Sequence, residues 1–116
     1  MRNYRKTVLN IKLDMIYTAL CDYLDEVQDF DVEFHKADIK LRYAVILSAI
    51  SDLHEGSELQ RADAVRYFES DVYKQHALES LLPKWMLSKI VNNPLDYARK
   101  IKYATDADDS YDISNI

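Results

Sequence analysis

The residues of this chain that could perform catalysis or bind a metal ion are few and stand far apart. His35, His54 and His76 lie in different segments, and none has a second histidine or a cysteine three or four residues away. That spacing is what allows two side chains on one helix to share a metal ion. The single cysteine, Cys21, stands beside an apolar position. We expect it to be a small, partly buried side chain and not a nucleophile.

Carboxylates are numerous, but no two of them form a recognisable pair of catalytic acid and base. The single glycine, Gly56, excludes a glycine-rich loop around a phosphate group. The run "DADDSYD" has the alternating acidic residues of a calcium loop, but it lacks the central glycine and the final glutamate of that loop. We therefore expect a protein that is not an enzyme and has no metal site and no cofactor.

One stretch has the residue types of a binding element. Residues 77–90, "ALESLLPKWMLSKI", predict two short helices that meet at Pro83, which suits the first turn of the second. A helix-turn-helix that reads DNA needs a packed support helix and a second helix with an exposed polar face. The side chains expected to contact nucleic acid or a partner protein are Lys84, Trp85, Ser88, Lys89, Arg99, Lys100 and Lys102.

The net charge of −5 is concentrated near the carboxyl end of the chain. Four of the five net negative charges belong to the last segment, whereas residues 83–102 carry a local charge of +4. The acidic total therefore does not exclude a nucleic-acid partner. An acidic tail would repel competing DNA or fold back over the basic segment. Its candidate contacts are Asp106, Asp108, Asp109 and Asp112.

A heptad-like stripe of apolar residues predicts the first long helix. Spacings of four and three alternate along it. We expect packing within the chain and not a dimeric coiled coil, because three heptads are about the minimum for a coiled coil and the rest of the chain needs a partner face. The stripe runs into "DFDVEFH", residues 29–35, which we expect to form a loop. The residues of the stripe are Leu9, Leu13, Ile16, Leu20, Tyr23, Val27 and Phe30.

A second stripe predicts the central helix of the fold. Further apolar residues such as Leu41 widen its apolar surface, which indicates that this helix is the most buried one. Gly56 follows, and we expect it to end the helix in a left-handed conformation. The residues of this stripe are Ile39, Tyr43, Ile46, Ile50 and Leu53.

Local capping signals predict short helices after the glycine. Ser57 and Gln60 have the spacing of a capping box. Ser70 or Asp71 can cap the fourth helix, and Asn93 with the proline after it starts the sixth. The expected inward residues are Leu59, Ala62, Val65 and Phe68 in the third helix, Val72, Ala77, Leu78 and Leu81 in the fourth, Trp85, Met86, Leu87 and Ile90 in the fifth, and Leu95, Ala98 and Ile101 in the sixth.

The composition agrees with a helical domain. Hydrophobic residues make up 48% of the 116 residues, and one glycine and two prolines are too few for the turns of a β-protein. We predict an all-α orthogonal bundle of five or six helices, two long N-terminal ones and then short ones with the helix-turn-helix-like corner. It should form a single domain over residues 1–104, followed by a flexible acidic tail over residues 105–116. No leader and no run of about 18 apolar residues occurs, so we expect a cytoplasmic protein with no membrane partner.

Three runs within residues 43–90 form one pattern. They consist of Ala44, Val45, Ala49, Ile50, Asp52 and Leu53, then Asp63, Ala64, Arg66, Tyr67, Phe68, Ser70 and Asp71, and then Ala77, Glu79, Leu81, Pro83 and Trp85. This pattern resembles that of a group of small uncharacterised phage and prophage helical proteins. The resemblance implies a phage or mobile-element origin and a bacterial host cell, and it brings no known activity. The family-like turn has a glycine and an aspartate before the proline, whereas here Leu82 precedes Pro83 directly.

Three functions fit these observations. The first is a phage-derived accessory protein, acting as a monomer or homodimer, that binds a host protein and inhibits a defence, replication or transcription factor. The acidic tail, the nine tyrosines and the lack of a catalytic constellation favour it. The second is a DNA-binding regulatory protein that uses the corner at residues 77–90 and the basic segment behind it. The third is a structural or assembly protein of the virion.

Overall fold

The computed structural model describes residues 7–101, and every regular element in that part of the chain is an α-helix. The predicted all-α class, with two long helices followed by short ones, is confirmed. Lys102 and the predicted acidic tail over residues 105–116, with its four candidate aspartates, lie outside the described residues. The helices are α1 (Val8–Glu26), α2 (Phe30–Glu55), α3 (Glu58–Phe68), α4 (Asp71–Glu79), α5 (Lys84–Asn92) and α6 (residues 94–101).

The two long helices form an antiparallel hairpin. The Thr7 hydroxyl caps α1 and donates a hydrogen bond of 2.6 Å to Glu55, at the end of α2. Ser51 donates to Asn10 over 2.9 Å, one turn further along both helices. At the opposite end, Lys40 forms an ion pair of 2.8 Å with Asp25. These pairings place the start of α1 beside the end of α2.

The hydrophobic core lies between this hairpin and the last two helices. Of the long helices, α1 contributes five buried residues and α2 another five, while α5 and α6 complete the core from the other side. The two helices between them, α3 and α4, supply only partly buried side chains to this core. The buried residues are Leu9, Leu13, Ile16, Leu20, Leu24, Ile39, Tyr43, Ile46, Leu47, Ile50, Leu87, Ile90 and Ala98.

The apolar stripe of α1 shifts by one residue near its end. Tyr23 is 66% exposed and Leu24 is buried in its place, so the prediction for Tyr23 is wrong. An α-helix makes a turn in 3.6 residues, and a strict heptad spacing therefore drifts around the helix by about 20° per heptad. Val27 caps the helix and does not continue the stripe. Phe30 is already the first residue of α2.

The segment "DFDVEFH" is helical from Phe30 onward, so its prediction as a loop is wrong. The Asp29 carboxylate accepts hydrogen bonds from the backbone N–H groups of Asp31 and Val32, at 2.9 and 3.3 Å, and thereby caps α2. Asp31 and Glu33 stand in the first turn, where negative charge stabilises the positive end of the helix dipole. The connection between the long helices is therefore only residues 27–29.

Gly56 ends α2, but it does not adopt the left-handed conformation that was expected of a terminal glycine. Its φ is −71° and its ψ is 167°, which is ordinary extended backbone. The reason for glycine is close approach, since a Cβ there would lie 2.5 Å from the carbonyl oxygen of Asp52 and 2.8 Å from the Cβ of Gln60. The capping box of Ser57 and Gln60 that starts α3 is confirmed.

Several apolar residues of the short helices face outward, contrary to the sequence prediction. In α3, Ala64 is buried, because this side of the helix faces the rest of the bundle. In α4 the inward side carries Tyr73, Ala77 and the fully buried Ser80 that follows the helix. The residues that are exposed although predicted to lie inward are Leu59, Ala62, Val65, Val72, Leu78, Leu81, Trp85 and Leu95; Leu41 of α2 is also exposed.

None of the helices in the described part of the chain is both long enough and apolar enough to cross a lipid bilayer.

The close approach at Gly56 predicts the effect of a single methyl group. Gly56→Ala should lower the free energy of unfolding by about 1–3 kcal/mol, because the carbonyl of Asp52 must move away from the new Cβ. Urea unfolding followed by circular dichroism measures this loss. The control is Ser88→Ala on the exposed side of α5. The urea midpoint of this variant should equal that of the wild type. A Gly56→Ala midpoint equal to that of the wild type would contradict the steric explanation.

Candidate functional site

Polar contacts attach α4 to the helices beneath it. Arg42, in the middle of α2, donates through Nε to Glu79 Oε1 over 2.6 Å. Tyr67 Oη of α3 lies 2.8 Å from His76 Nδ1 of α4. Both hydrogen bonds are partly buried. Because a hydrogen bond requires a particular orientation of its two groups, they fix the orientation of α4 in addition to its packing.

Aromatic rings fill the angle between α3 and α4. The rings of Phe68 and Tyr73 meet edge to face with centroids 4.9 Å apart, and those of Tyr67 and Tyr73 meet at 5.5 Å. Edge-to-face contacts at such distances are favourable beyond the area that they bury. Burial raises the pKa of Tyr67 to about 12, so its hydroxyl stays neutral at physiological pH.

The link between α4 and α5 is a tight turn that contains no glycine. Leu81 adopts a φ of 62°, in the left-handed region that usually favours glycine. Ser80 stabilises the turn from inside, since its hydroxyl donates to the carbonyl of Ala77 over 2.6 Å and accepts from the N–H of Leu82 over 3.3 Å. Leu81 thus takes, without a glycine, the left-handed conformation that closes the turn.

Pro83 then starts α5 from the N-cap position, one residue before the expected place. Its carbonyl accepts hydrogen bonds from the N–H groups of Met86 and Leu87, at 3.0 and 3.1 Å. Leu87 and Ile90 anchor α5 in the core. His54 Nε2 of α2 lies 2.9 Å from the carbonyl oxygen of Val91 and holds the other end of the helix.

A groove of about 790 Å³ opens between α4 and α5. Its walls are mainly apolar, and Lys74, Lys84, Ser88 and Asn92 are its polar residues. Two leucines on its wall are well exposed, Leu78 at 73% and Leu81 at 58%. The apolar residues that line it are Phe68, Tyr73, Ala77, Leu78, Leu81, Leu82, Pro83, Leu87 and Val91. Such a groove, which we call the α4–α5 groove, is suited to bind the apolar side of a peptide segment.

The structure brings only two of the predicted contact residues into this groove, Lys84 and Ser88. Trp85 and Lys89 lie elsewhere on α5, where the Lys89 ammonium stands 5.8 Å from the centre of the Trp85 ring. Trp85 is 60% exposed. Arg99 and Lys100 are exposed on α6, away from the groove lining, and Lys100 lies 3.6 Å from Asp96. The proposed packing of a support helix through Leu78 and Leu81 is wrong, since both are exposed.

A second concavity of about 450 Å³ lies between the start of α2 and the end of α4. Its lining is rich in polar side chains, among them His35, Asp38 and the Arg42–Glu79 pair. Leu81 lines this concavity as well as the α4–α5 groove. Among the described residues, no group of three or more histidine, cysteine, aspartate or glutamate side chains could hold a metal ion.

Sequence reasoning missed the groove because it treated its wall as core. Leu78 and Leu81 are spaced like inward residues of a helix, and nothing local shows that Tyr73, Ala77 and Ser80 occupy the inward side instead. One local feature of the sequence indicates the inward side of α4. Ser80, a short polar residue, follows His76 by four residues and is buried in the turn that ends the helix. A short polar residue there satisfies the turn's backbone groups.

Comparison of the chain with protein-family models, with curated proteins and with solved structures finds no match.

The left-handed conformation of Leu81 predicts opposite preferences at two exposed leucines. At position 81, Leu81→Gly should be more stable than Leu81→Ala by about 1 kcal/mol, because only glycine adopts positive φ without strain. At position 78, inside α4, Leu78→Ala should be more stable than Leu78→Gly by about 1 kcal/mol. Urea unfolding of the four variants measures both differences. The same order at both positions would show that Leu81 is not left-handed.

The Arg42–Glu79 contact predicts a change of stability with pH. Hydrogen bonds from Gln75 and from Arg42 hold the pKa of Glu79 below its usual value of 4.5. A carboxylate with a lowered pKa in the folded state contributes stability above its unfolded pKa, and that contribution disappears as the pH falls through the folded pKa. The melting temperature of Glu79→Gln should therefore lie below that of the wild type at pH 7.

The difference between the two proteins should shrink as the pH falls below about 4.5. Thermal unfolding by circular dichroism at a series of pH values measures it. Lys74→Gln is the control, because Lys74 is exposed and pairs with Asp71 and not with Glu79. A difference that stayed constant down to strong acid would show that the charge of Glu79 has no part in holding α4.

Proposed function

We propose that this chain is a non-catalytic accessory protein that binds another protein through the α4–α5 groove and thereby modulates it. The observation that carries the proposal is the apolar groove itself, with Leu78 and Leu81 exposed on its wall. Exposed leucines beside a half-buried aromatic floor are costly in water and become favourable when a partner covers them. Phe68 and Tyr73 provide that floor.

The chemistry of the groove favours one class of partner segment. Two helices side by side accept the apolar face of a third, amphipathic helix, whose large residues recur at every third or fourth position. Lys74 and Lys84 line the groove and are exposed, so acidic residues flanking that apolar face would add charge complementarity. We therefore propose an amphipathic helical segment with acidic flanks as the part of the partner that binds.

The cellular setting belongs to the same proposal. A phage-derived protein in the cytoplasm of a bacterial host would meet host defence, replication and transcription factors, and a small binding domain can inhibit such a factor by covering a surface that it needs. The groove supports this mode of action because it offers area for binding without any group that has to react. The proposed phage origin rests on the resemblance to phage and prophage proteins.

A second candidate function is DNA binding, and it has one observation in its favour. Lys84, Ser88 and Lys89 are all exposed on α5, as is required of a helix that binds in the major groove of DNA. Phosphate contacts made by such lysines weaken steeply with salt, because binding releases counterions. An apolar interface with a protein responds little to salt, so the two functions are separable in one experiment.

Substitution in the groove should abolish capture of the partner. We expect the tagged wild-type protein to retain a host protein from bacterial lysate after nuclease treatment and in high salt. Leu78→Glu should reduce the amount of retained host protein by a factor of about ten or more, because it places a charge on the apolar wall of the groove. Val72→Glu is the matched control: it adds the same charge to the same helix at an exposed residue outside the groove lining, and should bind like the wild type.

Other outcomes of the experiment are equally clear. Equal capture by the wild type and Leu78→Glu would place the binding surface elsewhere and overturn the proposal for the groove. Retention of nucleic acid alone, lost in moderate salt and in the double variant Lys84→Ala/Lys89→Ala, would replace protein binding with DNA binding. Circular dichroism spectra of all variants establish that the exposed substitutions leave the fold intact.

A further inference from the structure

The outward side of α3 carries apolar residues that nothing in the described part of the chain covers. Leu59 is 69% exposed, Val65 is 43% exposed, and Ala62 between them is also exposed. These three residues are spaced by three, so they lie near one another on the surface of the helix. The inward side of α3 is already satisfied by Ala64, which is 4% exposed. We call Leu59, Ala62 and Val65 with their charged neighbours the outer face of α3.

The charges on this face have a pattern that complements itself. Around Ala62, Glu58 and Arg66 stand at equal distances along the sequence, four residues before it and four after it. Arg61 and Asp63 likewise flank it directly. Each charged residue of α3 on one side of Ala62 thus has a residue of opposite charge at the same distance on the other side. The apolar Leu59 and Val65 also stand at equal distances from Ala62, three residues before it and three after it.

We propose that two copies of this chain associate through the outer faces of α3, with the two helices antiparallel and centred on Ala62. In this register Glu58 of one copy stands at the height of Arg66 of the other, and the relation repeats by the two-fold symmetry of the pair. A parallel arrangement would instead place like charges at equal heights. The charge pattern therefore selects the antiparallel arrangement.

The small side chain at the centre supports this geometry. Alanine lets two helices approach closely where they cross, and Leu59 and Val65 then cover the centre from both flanks. Within one chain, Arg66 already forms an ion pair with Asp63, and Arg61 donates to the carbonyl of Gly56 over 2.9 Å. Both residues of the Arg66–Asp63 pair are more than half exposed, and such surface pairs exchange partners at little cost.

The size of the face determines how strong the association is. α3 has 11 residues, about three turns, and a pair of such helices buries less than the roughly 1,200–2,000 Å² of a standard stable interface. We therefore expect a reversible dimer that appears as the protein concentration rises. This association uses a face of α3 that does not line the α4–α5 groove, so it is independent of the proposed partner binding.

Charge exchange between two variants tests both the surface and its register. Glu58→Arg alone places two arginines opposite each other, and Arg66→Glu alone places two glutamates opposite each other. Each change acts twice in a two-fold dimer, so each should raise the dissociation constant of the homodimer at least about tenfold. An equimolar mixture of the two variants should restore association as a heterodimer, because every pair is then attractive again. Sedimentation equilibrium measures the association of each variant and of their mixture, with the wild type as the reference.

Matched controls come from the start of α4. Asp71→Arg changes the first residue of a helix as Glu58→Arg does, and Lys74→Glu reverses the charge of an exposed lysine. Neither should weaken the homodimer. Ala62→Glu provides a second variant that needs no charge pairing, since two carboxylates would meet at the centre, and it should leave the protein monomeric. Circular dichroism confirms that each variant is folded.

Three results would overturn the proposal. A wild-type protein that stays monomeric at every concentration would exclude self-association, and the outer face of α3 would then be free for another partner. A dimer that tolerates Ala62→Glu would lie on another surface. A mixture of Glu58→Arg and Arg66→Glu that fails to associate would exclude the antiparallel register. None of these results bears on capture of a host protein by the groove, which Leu78→Glu tests separately.

Discussion

The apolar seam between α1 and α2 is the constraint on which the rest of the structure depends. Ile16 and Ile50 are fully buried in it, and Ile46 is 2% exposed. Burial of side chains of this size stabilises by about 1.5–3 kcal/mol each, so the long hairpin has to keep this seam covered. Helices α5 and α6 do so with Leu87, Ile90 and Ala98. The central core is thereby complete without full participation of α3 and α4.

The position of α3 and α4 follows from that completeness. They lie at the edge of the core and are held by Arg42–Glu79, by Tyr67–His76 and by a small group of aromatic rings. Because these contacts use one side of each helix, apolar residues on the other sides remain outside. The α4–α5 groove and the outer face of α3 are both results of this arrangement. A stable core thus supports a pair of short helices whose surfaces are available for binding.

The turn after α4 maintains the groove. Leu81 accepts the strain of a left-handed conformation, of the order of 1 kcal/mol, and the hydrogen bonds of the buried Ser80 hold the turn in place. The Leu81 side chain then lines both the α4–α5 groove and the concavity between α2 and α4. Backbone strain that leaves a leucine exposed is explained if the side chain has a partner to contact, which agrees with the proposed function of the groove.

The sequence by itself determined the helices and most of the central core. Their signals are local or extend over many turns: the caps at Ser57 and Ser70, and the long stripes of α1 and α2. In the long helices, the drift at Tyr23, the helical start of α2, the exposure of Leu41 and the extended conformation of Gly56 escaped it. The tertiary structure alone decided which sides of the short helices are buried. A helix of two or three turns carries apolar residues on several sides, and packing against its neighbours selects one of them. For that reason Leu59, Leu78 and Leu81 are surface residues, and the groove between α4 and α5 exists only once both helices stand on the core.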